Sequence, residues 1–169
     1  MPETALVVVI PEAEPLVSDW RAQYDRSAQR GVPAHITLVY PFAPTEKVDD
    51  ELLSEIRKLF GSEAAISFEL TRVARFPEVA WLAPEPSEPF KALTDLIAAR
   101  FPDYPPYESA HDEVIPHLTV AEGGVGLQDQ VEAALSGHLP IRARADSVAF
   151  LFEDDEGRWH EAHRFPLVG

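Results

Sequence analysis

The feature that most constrains this chain is a short motif that occurs twice. One copy is Val32-Pro33-Ala34-His35-Ile36-Thr37-Leu38-Val39; the other is Ile115-Pro116-His117-Leu118-Thr119-Val120-Ala121. In each, a proline precedes His-x-Thr within an apolar run of β-branched character, the pattern of a buried strand. Side chains two apart on a strand point the same way. His35 therefore shares a face with Thr37, and His117 with Thr119. Ile36 and Leu38, like Leu118 and Val120, face the other way and can anchor in a core. Two polar pairs, each on a rigid apolar backing, suit catalysis better than folding.

The rest of the chain arranges itself around these strands. Ala5–Ile10 reads as a buried strand, and Leu16, Trp20 and Tyr24 fall at helical spacing, with Gly31 closing that segment. After the first motif, Thr45 is a plausible N-cap for a helix whose stripe is Val48, Leu52, Ile56, Leu59 and Phe60, stopped by Gly61. Residues 65–76 alternate as a strand with one dry face and are expected to pair with Val79–Ala83 as a hairpin across Pro77-Glu78. Phe90, Leu93, Ile97 and Phe101 mark a third helix, followed by a proline- and tyrosine-rich loop from Pro102 to Pro116. After the second motif, a glycine-rich turn (123–126) leads into a helix through Leu127, Val131, Ala134 and Leu135. Ile141–Phe152 and Arg158–Val168 then close the chain as a hairpin around the acidic turn 153–156.

The order strand, helix, His-x-Thr strand, helix, strand then repeats. This predicts an α+β, bilobal fold: two pseudo-symmetric β-sheet lobes with flanking helices and a central cleft carrying both His-x-Thr motifs. It predicts a single domain over 1–169, with repeat halves of about 1–77 and 78–169.

Composition narrows the partners. The net charge of -15 disfavours sequence-blind binding to long duplex nucleic acid, which needs Lys and Arg on the phosphates. It also disfavours an anionic membrane surface. There is no cysteine, so disulfides, thiolate chemistry and Cys-based zinc sites are excluded. The apolar start lacks a basic n-region and a cleavage site, and no stretch reaches transmembrane length. A cytoplasmic monomer acting on a small nucleotide or an RNA end is expected.

Two histidines facing one gap suit phosphodiester cleavage. One neutral imidazole takes a proton from the attacking oxygen, and one imidazolium gives a proton to the leaving oxygen. An ordinary histidine pKa of about 6.5 lets both forms exist near neutral pH. Threonine hydroxyls can donate to the non-bridging oxygens. No metal or other cofactor is required by this chemistry.

These motifs resemble those of the 2H phosphoesterase superfamily. The wider text "GVPAHITLVYPF", "RFPEVAWLAPEP" and "IPHLTVAEG" is similar to its bacterial 2′-5′ RNA ligase-like branch, over nearly the whole chain. The resemblance implies a bilobal α+β fold with the site between the lobes. It also implies metal-independent cleavage of 2′,3′-cyclic phosphates, typically to 2′-phosphates, or reversible 2′-5′ linkage chemistry. By position, His35 and His117 would be the acid–base pair, and Thr37 and Thr119 the phosphate ligands.

Secondary candidates are weaker in pattern. Arg75, on the polar face of its strand, could clamp phosphate. Phe42, Phe76, Trp81, Tyr104 and Tyr107 could stack a base, against core packing or loop anchoring for each. The glycine run reads as a plain turn, since no Walker-type lysine follows. His160 and His163 around Glu161 lack the His-Glu-x-x-His spacing of a metal site and read as a polar strand face. His111 and His138 read as loop and helix-end residues. Two rivals to the phosphodiesterase remain: a nucleotide-binding module using the same cleft without turnover, and a metallophosphoesterase built on the acidic clusters.

Overall fold

A computed structural model describes residues 2–105 and 115–169. Its strands are β1 (Thr4–Val9), β2 (His35–Val39), β3 (Ile66–Phe76), β4 (Val79–Glu85), β5 (Leu118–Glu122), β6 (Ile141–Ala145), β7 (Ser147–Glu153) and β8 (Trp159–Pro166). The helices are α1 (Glu14–Tyr24), α2 (Arg26–Gln29), α3 (Asp50–Phe60), α4 (Glu88–Arg100) and α5 (Val125–Leu135). They build two four-stranded antiparallel sheets, ordered β2-β1-β7-β8 and β5-β4-β3-β6.

The two orders are the same pattern read twice. Each His-x-Thr strand is an edge strand paired with one neighbour, β2 on β1 and β5 on β4. The lobes nevertheless do not follow a division of the chain near residue 77. β3 joins the sheet of β4 and β5, and the chain returns to the first sheet only for β7 and β8. The run expected as one strand from Ile141 to Phe152 is cut at Asp146, with β6 in one sheet and β7 in the other. Hydrophobic period alone cannot show this, because both pieces bury apolar side chains.

The helices tie the lobes together. α1, which follows β1, packs against β5 of the opposite sheet, and α4, which follows β4, packs against β2. One contiguous apolar cluster runs through both sheets, from Leu6 and Val8 through Ile36, Leu38, Leu82, Leu118 and Val120 to Ile97 and Phe150. Alternation works as expected: Ile36 and Leu38 are fully buried, while His35 and Thr37 are only half-buried.

Local signals explain most element boundaries. The N-cap of α3 is Asp49, whose Oδ1 accepts the Leu52 N–H at 2.8 Å. Thr45, the expected cap, instead opens a short 3-10 turn, Thr45–Lys47. The β3–β4 hairpin turns through Pro77 and Glu78, with Glu78 in the left-handed region at φ 63°. The Gln128 amide ties this turn to α5 by donating to the Phe76 and Val79 carbonyls at 2.9 and 3.1 Å.

An edge strand leaves backbone groups unpaired. On β2, the Leu38 carbonyl is satisfied by the buried Thr94 hydroxyl of α4 at 2.8 Å. Replacing Thr94 by Val keeps the shape but strands that carbonyl. Chemical denaturation of Thr94→Val is expected to show a loss of about 1–3 kcal/mol.

Candidate active site

The geometry begins at the edge strands. A cleft of about 360 Å³ is lined by His35 and Thr37 of β2, and by Thr119 and Glu122 of β5. Ala5 and Val7 of β1 and Leu151 of β7, buried apolar side chains of one cluster, line it as well. Asp25, Arg26, Ser27 and Arg30, from the segment between α1 and β2, form one wall, and Tyr40 and Trp159 form the mouth. His117 lies two residues before Thr119, on the same side of the strand line, and close enough for its charge to bear on His35. The cleft thus brings together His35, Thr37 and Thr119, while His117 is not among the residues that line it. A larger depression of about 600 Å³ beside β3 and β6 holds no histidine, and its charges are engaged locally, as in the Arg142–Glu69 pair.

Each histidine is held in the same way. The His35 Nδ1 lies 2.8 Å from the Pro33 carbonyl, and the His117 Nδ1 lies 2.7 Å from the Ile115 carbonyl. A carbonyl only accepts, so each Nδ1 carries the proton and each Nε2 is left with its lone pair when the ring is neutral. This backbone bond from the residue two positions earlier is the reason the motif needs an extended lead-in; a proline in that segment favours it. The ring of His117 is also braced from behind. Phe76 and Trp81 stack at 4.6 Å, and meet its ring edge-on at 5.0 and 5.8 Å. The Trp81 indole N–H is buried and meets no acceptor among the described residues.

The lead-in to β2 is fixed by a buried ion pair. Arg21, almost fully buried, donates from Nε to Asp25 at 2.9 Å and from Nη2 to the Val32 carbonyl at 3.0 Å. Asp25 also accepts from the Ser27 N–H and hydroxyl. Such a pair, satisfied on all sides, orders the turn into Pro33. Across the cleft, Glu122 accepts the Arg26 N–H at 2.8 Å, linking the end of β5 to the opposite lobe.

Electrostatics set the resting protonation. Burial lowers the pKa of His35 to about 4, against the opposing Pro33 hydrogen bond and with a smaller push from the Arg21 charge. Burial also lowers His117, again against its backbone bond. Both rings are neutral at pH 7, with their basic nitrogens available.

Several expected candidates sit elsewhere. Arg75 donates to Asp129 and Glu132 of α5 at 2.8 and 2.9 Å, away from the cleft. Phe42 is a core residue, edge-on to Phe101, Tyr104 and Phe150, because the strand ends before it and the chain turns inward. Tyr104 is occupied in that same cluster. Tyr107 and His111 lie outside the described residues. His160 bonds Asp154 at 2.7 Å, which holds that carboxyl below its usual range. Among the described residues, no three histidines and carboxylates converge as a metal site would require. Sequence reasoning did not find Asp25, Arg26, Arg30, Tyr40, Glu122 or Trp159. Tyr40 breaks the period-two count from Thr37, and Trp159 is distant in sequence.

The residue pattern from 9 to 157 matches the family model of the 2′-5′ RNA ligase superfamily. The chain belongs to this superfamily. Its relatives include the "Putative phosphoesterase" of Bacillus pumilus, 25% identical over 172 residues and covering 95% of each chain. A relative from Shouchella clausii with the same description is 26% identical over 156 residues, covering 89% of this chain and 88% of the relative. The fold is that of Escherichia coli LigT, solved in complex with 3′-AMP: TM-score 0.66, 15% identity, all of both chains covered. It is also that of TT0787 of Thermus thermophilus, with TM-score 0.69 and 18% identity over 99% and 98% of the two chains. No helix among the described residues is long and apolar enough to cross a membrane.

The histidine geometry has two measurable consequences. In an NMR titration of the free protein, His35 is expected to titrate near pH 4, and to move upward when inorganic phosphate is added, since the anion favours imidazolium. Because the folded-state value lies below the unfolded value of about 6.5, the unfolded chain binds this proton more readily. Stability should therefore fall as pH drops from about 6.5 towards 4, and His35→Gln should flatten that part of the curve.

Proposed function

We propose that this protein is a metal-independent phosphodiesterase acting on 2′,3′-cyclic phosphate or 2′-5′ linked nucleotides, with residues 1–169 working as one catalytic domain. The observation that carries this reading is the matched pair of histidines. Each is fixed through Nδ1 to a carbonyl two residues upstream, and each keeps Nε2 free for proton transfer. Membership of the superfamily, relatives described as phosphoesterases and a fold shared with a protein solved with 3′-AMP support the substrate class.

Hydrolysis of a cyclic phosphate follows from this geometry. The Nε2 of one histidine takes a proton from water as the new P–O bond forms. The other histidine, as imidazolium, gives its proton to the departing 3′ oxygen as the old P–O bond breaks, leaving a 2′-phosphate and a free 3′-hydroxyl. Thr37 and Thr119 donate to the non-bridging oxygens as charge builds. In ligation the roles exchange. Burial keeps both rings neutral in the free protein, so the imidazolium forms when the phosphate anion enters and raises the pKa of one ring. Acid catalysis is thereby coupled to substrate binding. Arg26 and Arg30 on the cleft wall offer local positive charge in an otherwise acidic protein.

A nucleotide-binding module is the second reading. It is favoured by one observation, the low proton affinity of His35, which makes it a weak carrier of protons unless the ligand changes it.

The test is incubation of chelator-treated protein with nucleoside 2′,3′-cyclic phosphates. Formation of the 2′-phosphate is expected. His35→Ala and His117→Ala should each lower kcat by roughly 10²–10⁴-fold without changing thermal unfolding, and Thr37→Val or Thr119→Val by about 10–100-fold. Full activity in both histidine variants overturns the acid–base reading. Activity lost on chelation points to a metallophosphoesterase, and tight nucleotide binding without turnover points to the binding module.

A further inference from the structure

Acidic groups outnumber basic ones in this chain, with 29 Asp and Glu against 14 Lys and Arg. An arginine here ordinarily finds a carboxylate, as Arg21, Arg75, Arg100, Arg142 and Arg164 do. Two arginines of the cleft depart from this pattern. Among the described residues, Arg26 bonds a carboxylate through its backbone N–H and not through its guanidinium. Arg30 reaches only Glu153, at 4.0 Å, with its side chain half exposed. Both line the cleft together with His35, Thr37 and Thr119. Arg26 opens α2 and Arg30 stands just past its end. One helical turn separates them, so they lie on the same side of it.

The pair is fixed in this position. Two carboxylates share the wall, and each is already engaged: Asp25 with Arg21, and Glu122 with the Arg26 backbone N–H at 2.8 Å. The Arg30 carbonyl accepts the Trp159 N–H at 2.8 Å, which docks the segment on the start of β8. A third arginine joins from the β7–β8 turn, where Arg158 donates from Nη1 to the Gln29 carbonyl at 3.5 Å. Gly31 and Gly157 have φ +99° and +82°. A Cβ on them would lie 3.3 Å from the Arg158 Nη2 and 3.7 Å from the Arg30 Nη1. Each guanidinium thus lies against the glycine of the opposite segment, and a side chain at 31 would crowd it. Guanidiniums gathered in this way repel one another, and an anion bound by them offsets that cost.

We propose that Arg26 and Arg30, backed by Arg158, form a second phosphate subsite, so that the cleft takes a small nucleotide phosphorylated at two positions. This rests on the reading of the cleft as a cyclic phosphodiesterase site and names which nucleotides it takes. When the reacting phosphate holds the 2′ and 3′ oxygens, the 5′ oxygen is the ribose hydroxyl left to carry a second phosphoryl group. A cleft of about 360 Å³ suits one nucleotide, and the net charge of -15 opposes a long strand. The guanidinium fork matches phosphate oxygens two at a time and is always charged. The subsite therefore reads a 5′-phosphoryl group.

Binding tests the subsite separately from turnover. Calorimetry would compare adenosine 2′-phosphate, adenosine 2′,5′-bisphosphate and a diadenosine dinucleotide ending in a 2′-phosphate, whose second phosphate is an internucleotide diester. The bisphosphate is expected to bind roughly 10–100-fold tighter than the monophosphate. The double variant Arg26→Gln, Arg30→Gln should cut that ratio to about 2-fold, and Arg26→Lys, Arg30→Lys should recover part of it. On the wild-type protein, the Arg30 Nε–H resonance should move with the bisphosphate and stay in place with the monophosphate, which removes any dependence on how well a variant folds. A dinucleotide that binds as tightly as the bisphosphate extends the subsite to a phosphodiester, and a weaker one restricts it to a terminal phosphate; both outcomes support it. A bisphosphate no tighter than the monophosphate, or an unmoved Arg30 resonance, overturns it. Preference for the bisphosphate without hydrolysis of any cyclic phosphate overturns only the catalytic reading. Hydrolysis of 2′,3′-cyclic phosphates with equal kcat/KM with and without a 5′-phosphate overturns only the subsite. A protein that binds none of these compounds overturns both.

Discussion

The meeting of two edge strands, each apolar on one face and polar on the other, is the constraint on which the rest of the structure depends. β2 and β5 do not share a ladder; they belong to separate sheets and lie side by side where the sheets approach. Their inner faces, Ile36 and Leu38 against Leu118 and Val120, belong to one continuous core. Burial of such side chains stabilises by about 1.5–3 kcal/mol each, so a slip of one residue in either strand is strongly disfavoured. Correct packing of the inner face therefore fixes where His35, Thr37, His117 and Thr119 point.

The helices then turn two edges into a site. α4 packs on β2 and α1 on β5, so each lobe's helix braces the other lobe's His-x-Thr strand. Thr94 satisfies an open carbonyl of β2, and the Arg21–Asp25 pair fixes the segment that enters it. The histidine rings are set by their own backbones through the Nδ1 bonds, which need no distant partner. The result is a cleft lined by apolar Ala5, Val7 and Leu151, by His35, Thr37 and Thr119, and by the rings of Tyr40 and Trp159. Burial also lowers the proton affinity of both histidines.

What could be read in advance follows the range of the interactions involved. The β3–β4 hairpin, the alternation of the two motif strands and the stripe of α3 are local patterns, and the structure has them. The α3 cap went to Asp49 in place of Thr45 because a 3-10 turn intervenes. Arg75 has the residue type of a phosphate clamp, but α5 brings Asp129 and Glu132 to it. Phe42 has the residue type of a base-stacking ring, but it follows a chain reversal into the core.

The sequence by itself determined the motif strands: two histidine and threonine pairs, their facing, their apolar backing and the superfamily they announce. These depend on period-two geometry and on residue identity, both local to the chain. Tertiary structure alone decided which strands share a sheet, that Asp146 divides one apolar run between two lobes, and that Tyr40 and Trp159 meet at the cleft mouth. Those depend on contacts between residues far apart in the chain, such as Ile66 with Ala145, Leu6 with Phe150 and Tyr40 with Trp159. No local pattern encodes such contacts, because many pairings of apolar strands bury similar area and only the packed whole selects among them.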